Sequence, residues 1–207
     1  MEKFKRNFCT LAVVMTLIIS STPAFAISET CIHGNRTFND RRLTGGVGQY
    51  GKFRRYYWLS SNVSSDYVST IAAAVSNWVN TTTNPGVTTS ISIRQTTTQS
   101  SSSFDIYDFS FAGSTTGLTE FWIYSTYIND PSASNWGWTK IFIDCNKTSY
   151  YSIFDKTGLV AHELGHAMGL SHQPNLPGIS IMYNYDDYRD RDRPGSIDCN
   201  NINHIYE

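Results

Sequence analysis

The spacing of apolar residues changes several times along the chain, and each change predicts an element. Residues 53–59 (FRRYYWL) are aromatic and suit a strand. From residue 64 the period lengthens. Tyr67, Val68, Ile71, Val75, Trp78 and Val79 recur every three or four positions, which is one stripe of a helix, and Ser64, Ser65 and Asp66 stand where they can cap it. Asn84-Pro85-Gly86 marks a turn. Polar and apolar residues then alternate through 90–94 (SISIR) and 104–111 (FDIYDFSF), with the polar loop TTTQSSSS between them. Residues 121–127 and 139–143 are two further strand candidates. The pattern predicts five strands with a helix inserted after the first. A second helical stripe, Leu159, Val160, Leu164, Ala167 and Met168, predicts a buried helix that begins near Asp155 or Thr157. Residues 27–50, polar and glycine-rich, read as an irregular lead-in, the stretch that would contain any short pro-segment.

The first 26 residues follow a different logic. Lys3, Lys5 and Arg6 precede an apolar run from Phe8 to Ile19, and SSTPAFA then places Ala24 and Ala26 in an A-x-A cleavage arrangement. These three parts predict a secretory signal peptide over residues 1–26. The run is shorter than the roughly 18 apolar residues that a membrane span requires. The expected product is residues 27–207, secreted and extracellular, without a membrane anchor, and monomeric.

Composition sharpens this picture. Charged residues make up 16 % of the 207-residue chain, against about 25 % in ordinary domains. The formal net charge is −1, which argues against a nucleic-acid partner, since that would need a basic patch. Beyond residue 26 the chain keeps Cys31, Cys145 and Cys199. Export favours disulfides, and the reading expects a bridge from Cys199 to either Cys31 or Cys145, with one cysteine left over.

The chemistry gathers between Lys156 and Tyr185, KTGLVAHELGHAMGLSHQPNLPGISIMYNY. His162 and His166 are four apart and so share one helical face. Two imidazoles so placed can grip one zinc ion, and Glu163 can reach a water bound to that metal. Gly169 follows where a helix can end in a left-handed turn, and the returning chain offers His172. Three neutral imidazoles leave a fourth position for water, as catalytic zinc requires. At background frequencies the whole string His162-Glu163-x-x-His166-x-x-Gly169-x-x-His172 would arise in about one chain in 10⁵, so chance is set aside in favour of zinc. Ten residues beyond His172 comes Met182.

The zinc string followed by that methionine resembles the metzincin clan of zinc metallopeptidases, most closely its matrixin branch. The resemblance implies a zincin-like α+β domain: a mixed, twisted five-stranded sheet, two long helices, and a small C-terminal subdomain ending in a helix near Ser196-Ile197-Asp198. It implies that Met182 forms an apolar floor beneath the three histidines and that Tyr183, Asn184 and Tyr185 line a substrate pocket. It also makes 120–127 the edge strand to which an extended peptide substrate adds. Two departures stand out. Gln173 occupies a position that is usually Ser in matrixins, and Asn184 one that is Tyr in astacins. Only His33 and His204 remain for a second, structural zinc, so that site is expected to be absent.

The expected activity is therefore a zinc-dependent endopeptidase, with His162, His166 and His172 as ligands and Glu163 as general base to a metal-bound water. Two alternatives stay open: a secreted binding or adhesion protein on an inactive scaffold of this kind, and a zinc hydrolase acting on a non-peptide amide or ester. The run from Asp186 to Arg193 reads as a solvated loop. It could also supply oxygens to calcium, but its interleaved arginines count against that. Asp198 reads as a cap of the last helix or a brace of the methionine turn.

Overall fold

The computed structural model describes residues 36–184 and 190–207. The predicted signal peptide, Cys31, His33 and Tyr185 lie outside the described residues. In chain order the elements are β1 (Arg55–Leu59), α1 (Ser65–Val79), β2 (Ile93–Gln95), β3 (Phe104–Asp108), β4 (Gly117–Ile123), β5 (Thr126–Ile128), β6 (Trp138–Ile143), α2 (Ile153–Ala167) and α3 (Ser196–Tyr206). The fold is α+β. One sheet runs in the order β2-β1-β3-β6-β4-β5. β2, β1, β3 and β6 are mutually parallel, and β4 is antiparallel to both β6 and β5.

The sheet has six strands where the sequence pattern suggests five. The expected strand over 121–127 is the second half of β4, a turn, and β5. Tyr124 sits at φ 52°, in the left-handed region, and lets the chain reverse so that Trp122 pairs with Tyr127 and Phe121 with Ile128. No glycine, asparagine or proline announces this reversal in FWIYSTYI, so the run reads as one strand. The edge role assigned to 120–127 changes accordingly. β5 covers Phe121 to Ile123, while residues 117–120 have a strand partner on one side only among the described residues.

Each element owes its position to a buried face. In β6, Thr139, Ile141 and Ile143 are buried and alternate with half-exposed Trp138, Lys140 and Phe142. Phe104 and Ile106 of β3 and Phe121 of β4 complete that inner face. Helices α1 and α2 pack against one another, α1 reaching β2 and α2 reaching β4 and β6. Helix α1 buries Tyr67, Thr70, Ile71, Ala74, Val75 and Trp78, and Val68, expected on the stripe, faces outward. Helix α2 starts at Ile153, earlier than expected, because Ser152 and Asp155 form a capping box. The Ser152 hydroxyl accepts from the Asp155 N–H at 3.2 Å, and the Asp155 carboxylate accepts from the Ser152 N–H at 3.3 Å.

The described part of the lead-in is irregular, as expected, but it is built into the core. Leu43 and Val47 are fully buried, and burial of such side chains contributes about 1.5–3 kcal/mol each. Thr37 bridges to Leu170 and Leu43 to Trp136. This wrapping holds the end of α2. The indole of Trp136 donates to the Ala167 carbonyl at 3.0 Å, that of Trp78 to Ala161 at 2.8 Å, and the Tyr206 hydroxyl to Met168 at 2.9 Å. Carbonyls in the last turn of a helix lack internal partners, and here two of them receive side-chain donors.

Of the two bridges open to Cys199, the one to Cys145 does not form, and the one to Cys31 lies outside the described residues. Cys145 and Cys199 are separate, buried thiols: Cys145 lies just after β6, its N–H bonded to Asp108, whereas Cys199 lies in α3. Burial pushes both thiols up to about 12 from an ordinary 9.

Two outcomes follow from this packing. Trp136→Phe should lose about 2 kcal/mol in urea denaturation, since the Ala167 carbonyl is left buried without its donor; a loss under 0.5 kcal/mol would show that this bond carries little. For the thiols, the folded state holds protons that the unfolded state releases. Unfolding free energy should therefore be insensitive to their ionisation below pH 9 and fall as pH rises from 9 towards 12, by up to about 1.4 kcal/mol per pH unit for each thiol. A flat profile from chemical denaturation across that window would contradict it.

Candidate metal centre

Helix α2 carries His162 and His166 on one face, with ring centroids 4.6 Å apart and ring planes nearly perpendicular. The helix then ends in two bonds that turn the chain back. The Leu170 N–H donates to the Gly165 carbonyl at 3.0 Å, and the Gly169 N–H to the His166 carbonyl at 2.9 Å, with Gly169 at φ 111°. This is the Schellman closure anticipated at Gly169. A side chain there would also press on the Arg41 carbonyl, 2.9 Å from where a Cβ would stand. The reversal delivers His172, whose ring lies 5.2 Å from that of His162 and 4.7 Å from that of His166. One ring nitrogen from each of the three histidines falls within 4.8 Å of the others, and these are the residues expected to form the site.

The protonation of the two helical imidazoles follows from their neighbours. His162 Nδ1 lies 2.9 Å from the Ile181 carbonyl, and His166 Nδ1 lies 2.7 Å from the Leu170 carbonyl. A carbonyl only accepts, so both Nδ1 atoms carry hydrogen and both Nε2 atoms present lone pairs. His166 Nε2 stands 3.1 Å from His172 Nε2. Two nitrogens on one tetrahedral zinc, at about 2.0–2.1 Å each, stand roughly 3.3 Å apart, so the His166–His172 pair has the spacing this metal needs and the three-imidazole set is compatible with it. His162 is buried, His166 half-buried and His172 exposed, so the cluster opens to solvent on the His172 side.

Glu163 is 4 % exposed, and its carboxylate turns towards β4. The Thr119 hydroxyl is 2.7 Å from Glu163 Oε2 and 3.0 Å from the Glu163 carbonyl, so it can donate to either. Gly117 leaves the room this requires, because a Cβ there would stand 2.6 Å from Oε1. The carboxylate is thus set between the helix that carries His162 and His166 and the part of β4 that has no outer strand partner among the described residues.

Met182 is fully buried, and its sulfur fills the space where a Cβ on Gly165 would go. Its turn is held by Asp198, as the sequence suggests. The carboxylate of Asp198 accepts from the Ser180 hydroxyl, from the Ile181 N–H at 2.9 Å and from the Gly195 N–H at 2.8 Å. Burial pushes this carboxyl above its ordinary range, opposed by those three donors. Gln173, the departure noted above, donates its N–H to the Met182 carbonyl at 2.8 Å and so ties the turn to the loop carrying His172.

Tyr183 and Asn184 follow this turn and are half-buried. The cavity of about 230 Å³ beside Glu163, His166 and His172 is walled instead by Phe38, Gly117, Leu118, Thr119 and Phe121. Phe38 stacks at a tilt on His166, with centroids 5.8 Å apart, and meets Phe121 edge-on. Sequence reading missed Phe38, Gly117, Thr119 and Gly165. For the first three there was no local signal, since they meet the site only through folding. A glycine inside a helix does hint at a close approach, and Gly165 carried that hint. In the charged run, Asp192 pairs with Arg193 at 2.8 Å, and Arg191 donates to the carbonyls of Gly178 and Arg193, so these residues clasp their own loop.

No protein-family model and no curated protein matches the chain. Among solved structures it is similar to high choriolytic enzyme 1, a hatching-enzyme zinc-protease from the medaka fish Oryzias latipes, at 20 % identity and a TM-score of 0.34, over 59 % of this chain and 46 % of that one. The chain thus spans less than half of that protein's length. Likeness of this depth carries no argument, and function is read from the side chains.

Gly165→Ala tests the seat of Met182. An ordinary mid-helix Gly→Ala change stabilises by up to about 1 kcal/mol. Here the added methyl meets the Met182 sulfur, so unfolding free energy should drop by about 1–3 kcal/mol and zinc affinity, read by competition with a chromophoric chelator, should weaken with it. A stabilised variant would contradict the contact.

Proposed function

We propose that the chain is a secreted, zinc-dependent endopeptidase of metzincin character, acting as a monomer on extended protein or peptide segments. The observation that carries this reading is the convergence of His162, His166 and His172 within 4.8 Å, with the Glu163 carboxylate fixed beside them against an open strand edge. His162, His166 and His172 would hold the metal. A zinc ion held there would supply acidification of a water and polarisation of the carbonyl under attack. Glu163 takes the proton of the attacking water on its carboxylate and passes it to the leaving amine. Thr119 keeps that carboxylate turned towards the substrate side, and the carbonyls of Ile181 and Leu170 keep the two helical imidazoles in the tautomer a metal accepts.

Residues 117–120 supply backbone groups with which an extended substrate can pair. Leu118 and Phe38 offer an apolar wall along that path, and Tyr183, Asn184 and Tyr185 would bound it beyond the methionine turn. The matrixin branch, export through residues 1–26 and the extracellular location belong to this proposal. They rest on the motif spacing and on the pattern of the N-terminal segment.

The test is a peptide-library digestion with the refolded chain from residue 27 onward. Cleavage should need one equivalent of zinc, stop with chelator and return on metal addition. Glu163→Gln should keep the zinc and lose about 10²–10⁴-fold in kcat. Thr119→Val should lower kcat with little change in KM, and Thr119→Ser should restore it. Zinc binding without cleavage of any peptide would favour a binding protein on this scaffold, and cleavage confined to small esters or amides would favour the non-peptide hydrolase.

A further inference from the structure

The sheet face turned away from α1 and α2 holds a second, separate cavity. Its volume is about 410 Å³, within the usual range of small-molecule sites, and it is lined by Gln99, Ser100, Ser102, Asp105, Gly137 and Trp138. Asp105 is its unusual member. On β3 it alternates with the core residues Phe104 and Ile106 and so belongs to the outer face, yet it is only 4 % exposed. Its Oδ2 accepts from the Gln99 amide at 2.8 Å and lies 3.4 Å from the Tyr107 hydroxyl. No donor among the described residues reaches Oδ1. A carboxylate oxygen without a protein donor stays open to one from the cavity that Asp105 lines.

The lining narrows the class of that donor. Both hydrogens of the Gln99 amide are engaged, one by Asp105 and one by the Tyr107 hydroxyl at 2.9 Å, so its oxygen is left as an acceptor. The open groups are therefore chiefly acceptors and a serine hydroxyl, arranged beside an indole. Lys140 stands in register between Asp105 and Glu120 on the same face, with its ammonium 4.2 Å from the centroid of Trp122 and 5.6 Å from that of Trp138. The face therefore carries charges of both signs, and an uncharged hydroxyl donor can meet the Asp105 carboxylate without displacing that ammonium.

The surroundings favour a partner with polarised C–H groups. The same face presents Trp58, Tyr107, Trp122, Tyr127 and Phe142, with Tyr107 stacked on Phe142 at 5.4 Å and Trp122 on Trp138 at 5.5 Å. Aromatic faces carry negative charge density and suit the weakly positive C–H groups of a sugar ring, whose hydroxyl rim supplies the donors that Asp105 and Gln99 lack. We infer that this cavity binds a neutral carbohydrate, with Trp138 as the aromatic wall, Asp105 Oδ1 and the Gln99 oxygen accepting from ring hydroxyls, and the aromatic row alongside accommodating neighbouring sugars. The site lies across the sheet from Glu163 and does not depend on the peptidase reading.

Affinity electrophoresis of the Glu163→Gln chain in gels containing soluble neutral polysaccharides tests this: a β-glucan, a mannan and a chitin-type oligosaccharide conjugate, with polylysine and polyglutamate gels as charged controls. Retardation is expected in at least one neutral gel, and Gln99→Ala and Asp105→Asn should each weaken it at least tenfold while circular dichroism stays unchanged. Trp138→Phe, which retains an aromatic wall, should keep more binding than Trp138→Ala. Three results would each overturn the inference: no retardation in any neutral gel, retardation unaltered by both Gln99→Ala and Asp105→Asn, or retardation only in a charged gel. None of them bears on zinc-dependent cleavage, which is read separately.

Discussion

Two hydrogen bonds from imidazole to backbone set the conditions for everything around the candidate metal centre. His162 and His166 each spend their Nδ1 hydrogen on a carbonyl, and those carbonyls belong to segments beyond the helix, Ile181 and Leu170. The ring orientation is therefore decided by where the chain goes after α2. If the helix ran on past Ala167, the Leu170 carbonyl would not stand beside His166. The Schellman closure at Gly169 is thus a condition of the imidazole geometry as well as a helix stop, and it also delivers the third histidine.

Asp198 extends the same dependence to the end of the chain. One carboxylate closes the start of α3 through the Gly195 N–H and fixes the methionine turn through Ser180 and Ile181. The main chain of Ile181 therefore links one acceptor and one donor in series: its N–H donates to Asp198, and its carbonyl accepts from His162. A change in α3 can in this way reach the histidine cluster without touching it. Such buried, fully satisfied polar chains tend to enforce one arrangement, which suits a site whose donors must converge to a few tenths of an ångström.

The sequence was informative where chemistry and local geometry coincide. The spacing of His162, Glu163, His166, Gly169 and His172 reports a helix face and a left-handed stop, and both appear. Asp198 reads from the sequence as either a cap of the last helix or a brace of the methionine turn, and its carboxylate does both. The hairpin at Tyr124 did not announce itself, because the residue that turns the chain is one that also favours strands. Ser152 and Asp155 did carry a capping signal, two turns ahead of the first histidine, although the apolar stripe alone places the helix start later. Thr119, Gly117 and Phe38 come from elements distant in the chain, and only the sheet order β3-β6-β4 brings them to α2. A count of thiols leaves two bridges open to Cys199, and the one to Cys145 fails because the fold does not bring those two sulfurs together.

The short strand β5 has a consequence for how the molecule behaves in company. An exposed strand margin is a template for pairing with another copy, and long, flat margins lead to aggregation. By folding back on Phe121 to Ile123, β5 leaves residues 117–120 as the open stretch of β4, about 13 Å at 3.3 Å per residue. Among the described residues the margin is thereby broken into two short, offset stretches, these four residues of β4 and the outer edge of the three-residue β5, and short margins template another chain less well than one long strand.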